Sequence, residues 1–158
     1  MPEFLSIALY EFKNNYFNFK GRATRSQFWY FVLSLFLVNI VVQIFGMIPY
    51  LGTLITFAWA LFTLIPSIAI QVRRLHDTNK SGLLIIVPYA CIVLCLISLG
   101  LAFACKSLAF VTIMKIFMLL ALLSYIGLIV LWCLKSDEGE NKYGPVATIG
   151  HFEMPKKA

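Results

Sequence analysis

Between Phe28 and Leu134, charge is concentrated in one short island set among four long apolar runs. The island is Arg73-Arg74-Leu75-His76-Asp77-Thr78-Asn79-Lys80-Ser81-Gly82, and elsewhere in that interval only Lys106 and Lys115 are charged. An apolar run of about 20 residues matches the hydrocarbon core of a bilayer. The chain therefore reads as an all-α membrane protein: a four-transmembrane-helix bundle with an N-terminal interfacial amphipathic helix. Residues 1–158 form a single integral membrane domain in this reading.

Composition agrees. At 61% hydrophobic and 13% charged residues, with a mean hydropathy of +0.87, there is too little polar surface to cover a water-soluble globule. The net charge of +6 does not point to nucleic acid, because no recognition motif accompanies it and the basic residues flank the spans. Cations there set orientation and meet anionic lipid. Cys91, Cys95, Cys105 and Cys133 need no oxidising compartment. Cys91 and Cys95 lie four apart without a histidine or third thiol at ligand spacing, so packing explains them. His76, His151 and the nearby carboxylates also lack a metal-binding pattern, and neither metal nor cofactor is expected. The first apolar stretch breaks at Glu11 and Lys13 and has no basic region before it, which argues against a cleavable signal.

Residues 2–20 read as an amphipathic segment on the membrane surface. Leu5, Ala8, Leu9, Phe12 and Tyr16 share one side, with Glu3, Ser6 and Lys13 largely elsewhere. Packing of a short helix on other loops is the alternative. The segment 1–27 precedes spans placed at about 28–48, 51–72, 83–104 and 114–134, and a tail covers 135–158. Thr24-Arg25-Ser26-Gln27 fits a capping box, and Phe28, Trp29 and Tyr30 form an aromatic boundary. Pro49 and Tyr50 lie in a tight turn over 46–52, and Lys115 is expected to begin span four and snorkel outward.

Lys13, Lys20, Arg22 and Arg25 precede span one; Arg73, Arg74 and Lys80 follow span two; Lys135, Lys142, Lys156 and Lys157 follow span four. Only Lys106 and Lys115 fall on the other side. The positive-inside rule then puts both termini and the central loop in the cytoplasm.

Two constellations stand out. In span two, Gly52, Thr56, Ala60, Thr63, Ser67 and Gln71 recur at intervals of three or four and form a slowly drifting stripe. It is either a close-packing seam or a polar path through Thr56, Thr63, Ser67 and Gln71, joined by Asn39 and Gln43 of span one. Pro66 beside Ser67 leaves a carbonyl that a hydroxyl or a neighbouring helix must satisfy. The second constellation gathers Arg22, Arg25, Arg73, Arg74, His76, Asp77 and Tyr143 at one end of the folded spans.

The stretches 19–29, 73–82 and Asn141-Lys142-Tyr143-Gly144-Pro145 occur in that order. In this the chain resembles the YhaH-like bacterial inner-membrane proteins, the DUF805 family of unknown function, over nearly its whole length. Gln27 stands where the family more often has Glu, and Leu83-Leu84 where tryptophan is common. The resemblance implies a bacterial inner-membrane location and several spans; it implies no activity.

For the arginine constellation three readings follow. It is an internal salt-bridge and capping network, an anionic-lipid or phosphate site, or a protein-docking surface. His76 next to Asp77 is an acid/base pair in composition only, since adjacent helix positions do not face each other. The expected function is a non-enzymatic binding or accessory module with a cytoplasmic-face anion or lipid-headgroup site made by Arg22, Arg25, Arg73, Arg74, His76 and Asp77. The alternative is a small oligomeric transporter or channel. Expected partners are membrane lipids, anionic ones included, and a second copy or another membrane protein.

Overall fold

The computed structural model describes residues 3–147. The expectations placed on His151, Lys156, Lys157 and the Glu3 side chain lie outside the described residues. The chain forms α1 (Glu3–Asn14), α2 (Arg25–Gly46), α3 (Leu51–Asp77), a 3-10 turn (Gly82–Ile85), α4 (Ile86–Cys105) and α5 (Leu108–Cys133). Four helical stretches are long and apolar enough to cross a bilayer: Arg25–Gly46, Leu51–Asp77, Gly82–Cys105 and Leu108–Cys133. Two compact units result: α1, α2, α3 and the described residues 135–147 form one, and Lys80–Leu134 the other.

In the first unit, α2 starts at Arg25, three residues before the expected 28. The capping box fixes that start: the Thr24 hydroxyl accepts from the Gln27 backbone N–H (3.2 Å), and the Gln27 side chain accepts from the Thr24 N–H (2.9 Å). Phe31, Phe28 and Ser34 are its buried residues, while Val32, Phe36, Ile40 and Ile44 stay exposed, as on a helix whose solvent is lipid. A turn with Tyr50 at φ 61° returns the chain into α3. Gly52 lets the two helices close there, since a Cβ on it would stand 2.2 Å from the Gly46 carbonyl oxygen. Farther along the hairpin, the Trp59 indole N–H donates to Asn39 Oδ1 (2.8 Å).

Helix α3 runs five residues past the expected boundary at 72, to Asp77. Hydrogen bonding does not stop where hydrocarbon does, so Arg73, Arg74, His76 and Asp77 end the helix rather than form a separate loop.

Helix α1 is shorter than the expected 2–20 and packs on α2 and α3, with Ile7, Ala8 and Glu11 buried. Ser34 donates to the Phe4 carbonyl (2.8 Å), and Phe12 stacks on Phe62 with centroids 5.3 Å apart. Leu9, assigned to the same apolar side, remains 54% exposed. The face that docks is thus rotated from the purely apolar one, because Glu11 has a buried counter-charge in Arg73.

In the second unit, the Ser81 hydroxyl accepts from the Leu83 N–H (3.3 Å) and opens the 3-10 turn leading into α4. Helices α4 and α5 pack as a pair, joined through Lys106 at φ 47° and Ser107. Helix α5 begins at Leu108, not near 114, since the turn consumes only two residues. Lys115 is therefore about 10 Å into the helix, exposed, rather than at its start.

Candidate functional site

The end of α3 gathers the charged island into a buried node. A helix leaves its last four carbonyls without partners inside the helix. Here the turn just beyond the helix and two distant segments supply donors to carbonyls at this end of α3. The Ala23 N–H donates to the Arg73 carbonyl (3.1 Å), the Thr78 N–H to Leu75 (3.1 Å), the Asn79 N–H to His76 (3.1 Å) and the Asp137 N–H to Asp77 (3.0 Å). Asn141 adds its side-chain amide to the His76 carbonyl (2.9 Å). Asn79 takes φ 56°, the left-handed turn that asparagine tolerates beyond a helix end.

Charge follows the same plan. Asp77 accepts from Arg22 Nε on Oδ1 (2.9 Å) and from Arg74 Nη1 on Oδ2, and all three side chains are at most 1% exposed. Arg22 goes on to donate to the carbonyls of Gly139 (2.7 Å) and Asp137 (2.7 Å), while Arg74 reaches Ser136 Oγ (3.2 Å). Two guanidinium groups share one carboxylate, so the surplus positive charge is spread over backbone carbonyls and a hydroxyl. Buried charge is tolerated only when paired and hydrogen-bonded in this way.

Arg73 points elsewhere, to Glu11 of α1, with side-chain exposures of 6% and 2%. Among the described residues, Arg73 Nε and Glu11 Oε1 lack a hydrogen-bond partner, so this pair is less completely satisfied than the first. His76 Nδ1 lies 3.2 Å from the Gly21 carbonyl, which can only accept; the proton is on Nδ1. Its ring stacks on Tyr143 at 3.7 Å and 6°, and Lys142 Nζ stands 5.0 Å from the centroid of that tyrosine.

The constellation read from sequence is thus brought together for Arg22, Arg74 and Asp77, with His76 and Tyr143 alongside. Arg73 serves a neighbouring pair, and Arg25 opens α2 as an exposed residue. Asp77 binds the two arginines, and Ser81 caps the turn that opens the next span. Sequence reading missed Glu11, Ala23, Ser136 and the acceptor carbonyls of Asp137 and Gly139.

In the stripe of α3, hydroxyls bond within their own helix: Thr56 to Gly52 (3.0 Å), Thr63 to Trp59 (2.9 Å) and Ser67 to Thr63 (2.6 Å). Gln71 is different, its side-chain oxygen being buried without a hydrogen-bond partner among the described residues. Among those residues no group of three or more His, Cys, Asp or Glu is placed to hold a metal ion.

A family model described as "Protein of unknown function (DUF805)" matches residues 16–145, which include all three segments of the node. The chain is similar to the inner membrane protein YhaI of Escherichia coli K12, 39% identical over 83 residues, 48% of this chain and 67% of that protein. It is similar also to the inner membrane protein YhaH of that strain, 32% identical over 83 residues, 48% of this chain and 69% of that protein. No solved structure matches the chain.

Proposed function

From membership of the DUF805 family, to which this chain belongs, and from its similarity to two inner membrane proteins, we propose a non-enzymatic, membrane-integral accessory module. Both termini and the end of α3 face the cytoplasm in this proposal. The ion-pair node is its rigid platform, and the exposed cations around that platform meet anionic headgroups. The observation that carries the reading is the division of the cations. Arg22, Arg73 and Arg74 are committed to Asp77 and Glu11, whereas Lys13, Lys20 and Lys142 are exposed. A guanidinium closed on a carboxylate and on carbonyls has little left for a phosphate; an exposed cation near an anionic leaflet contributes about 1 kcal/mol.

His76 and Asp77 do not act on one another, although they are adjacent in sequence. Asp77 is held by two arginines and His76 by Gly21 and Tyr143, so neither serves the other as acid or base.

Electron spin resonance of the protein reconstituted with spin-labelled lipids tests the headgroup reading. Phosphatidylglycerol should be enriched over phosphatidylcholine at the protein boundary, and the enrichment should fall with added salt. Neutralising Lys13, Lys20 and Lys142 together to Gln should remove it. The same selectivity in that variant would reject the headgroup contact.

A further inference from the structure

A groove between α2 and α3 carries chemistry that the cation platform does not use. Its cavity of about 240 Å³ has apolar walls that include Phe31, Val32, Phe36 and Ile70, and three polar side chains, Asn39, Ser67 and Gln71. A second hollow farther along α2 shares Phe36 and Asn39 with it and extends past Ile44 to Met47. From Phe28 to Ile44 the helix rises about 24 Å, enough for an acyl or prenyl chain to lie along it.

The polar groups are incompletely matched. Asn39 Oδ1 accepts from Trp59, and the Ser67 hydroxyl donates to Thr63, leaving its oxygen able to accept. The Gln71 oxygen is buried with no donor among the described residues. A buried acceptor without a partner is costly. No wall of the groove bears a charge, and Arg74, one helical turn beyond Gln71, is closed on Asp77. A phosphate here would be buried without a counter-ion.

We propose that this groove binds a neutral, hydroxyl-bearing membrane amphiphile, with the hydroxyl at Gln71 and Ser67 and the chain along α2. A hydroxyl both donates and accepts, so it satisfies the Gln71 amide in either of its two orientations. The aromatic and branched walls suit one flexible chain and offer nothing to a charged headgroup.

The test uses the full chain in neutral detergent, with dioleoylglycerol as probe and native mass spectrometry as readout. Its 3-O-methyl ether keeps nearly the same bulk and removes the donor. Because no anionic lipid is present, the result is independent of the headgroup selectivity proposed above. Dioleoylglycerol should be retained about tenfold more tightly than the ether, the weight of one hydrogen bond at a buried site. Gln71→Leu should erase that difference, and Val32→Trp should block both lipids by filling the groove. A photoreactive dioleoylglycerol should label peptides of α2 and α3. Equal retention of the two lipids by the unmodified protein overturns the proposal whether or not either variant folds. Labelling confined to α4 and α5, or cross-linking of a second copy at position 32, overturns it too.

Discussion

The Tyr16 hydroxyl donates at 2.7 Å to the carbonyl of Phe62, the residue four positions before Pro66 in α3. Proline has no N–H to return to that carbonyl, so the helix leaves it unsatisfied and the segment after α1 supplies the donor. Tyr16→Phe should cost about 1 kcal/mol of stability, the net worth of one hydrogen bond. In a Pro66→Ala background the same change should cost much less, because the helix then bonds its own carbonyl. A double-mutant cycle from reversible unfolding in mixed micelles reads the coupling, and additive effects would dismiss it.

Asp77→Asn should be among the most damaging single changes. It leaves Arg22 and Arg74 buried with no carboxylate, a loss on the order of 3–5 kcal/mol. Replacing Arg22, Arg74 and Asp77 together by apolar residues should recover only part of this, since the Asp137 and Gly139 carbonyls would then lose their donor. The same unfolding measurement decides, and a fully stable Asp77→Asn protein would contradict the node.

The Glu11–Arg73 pair should behave differently. Glu11→Ala should cost about 3 kcal/mol by stranding Arg73. The double change Glu11→Leu, Arg73→Met should restore most of it, because each partner already carries one unsatisfied atom and little else depends on the pair. Protease cleavage between α1 and α2 reports the release of α1 in the single variant and its return in the double.

Gly52→Ala should destabilise by about 1–3 kcal/mol through overpacking. The obstruction is backbone, the Gly46 carbonyl at 2.2 Å, and cannot swing aside. Gly46→Ala should cost less, since its Cβ meets the Thr56 methyl at 2.9 Å and a side chain can shift. Equal losses would mean that the hairpin yields at both glycines.

In a cysteine-free background, single cysteines at 20 and 142 should react with an impermeant maleimide only from the cytoplasmic side, and one at 50 only from the other. Reaction of 20 and 142 from opposite sides would break the proposed orientation.

What the sequence disclosed was local. Thr24 and Gln27 are three residues apart, so the capping box could be read directly, and Pro66 announced an orphan carbonyl though not the hydroxyl that meets it. The four apolar spans are plain in the chain, but a bilayer thickness alone does not fix the start of α5, which runs longer than that. Asp77 and Arg22 are 55 residues apart, and the choice of Asp77 over Glu138 or Glu140 leaves no pattern in the chain. Glu11 read as a break in an apolar stretch because its partner lies 62 residues away. Backbone acceptors such as Gly139 have no sequence signature at all.

Arg22 emerges early in synthesis, yet two of its acceptors lie 115 and 117 residues later. Until the ribosome has made residue 139, its guanidinium lacks part of its final setting. A nascent or cleaved chain ending before that point carries an ionic group that the mature fold conceals.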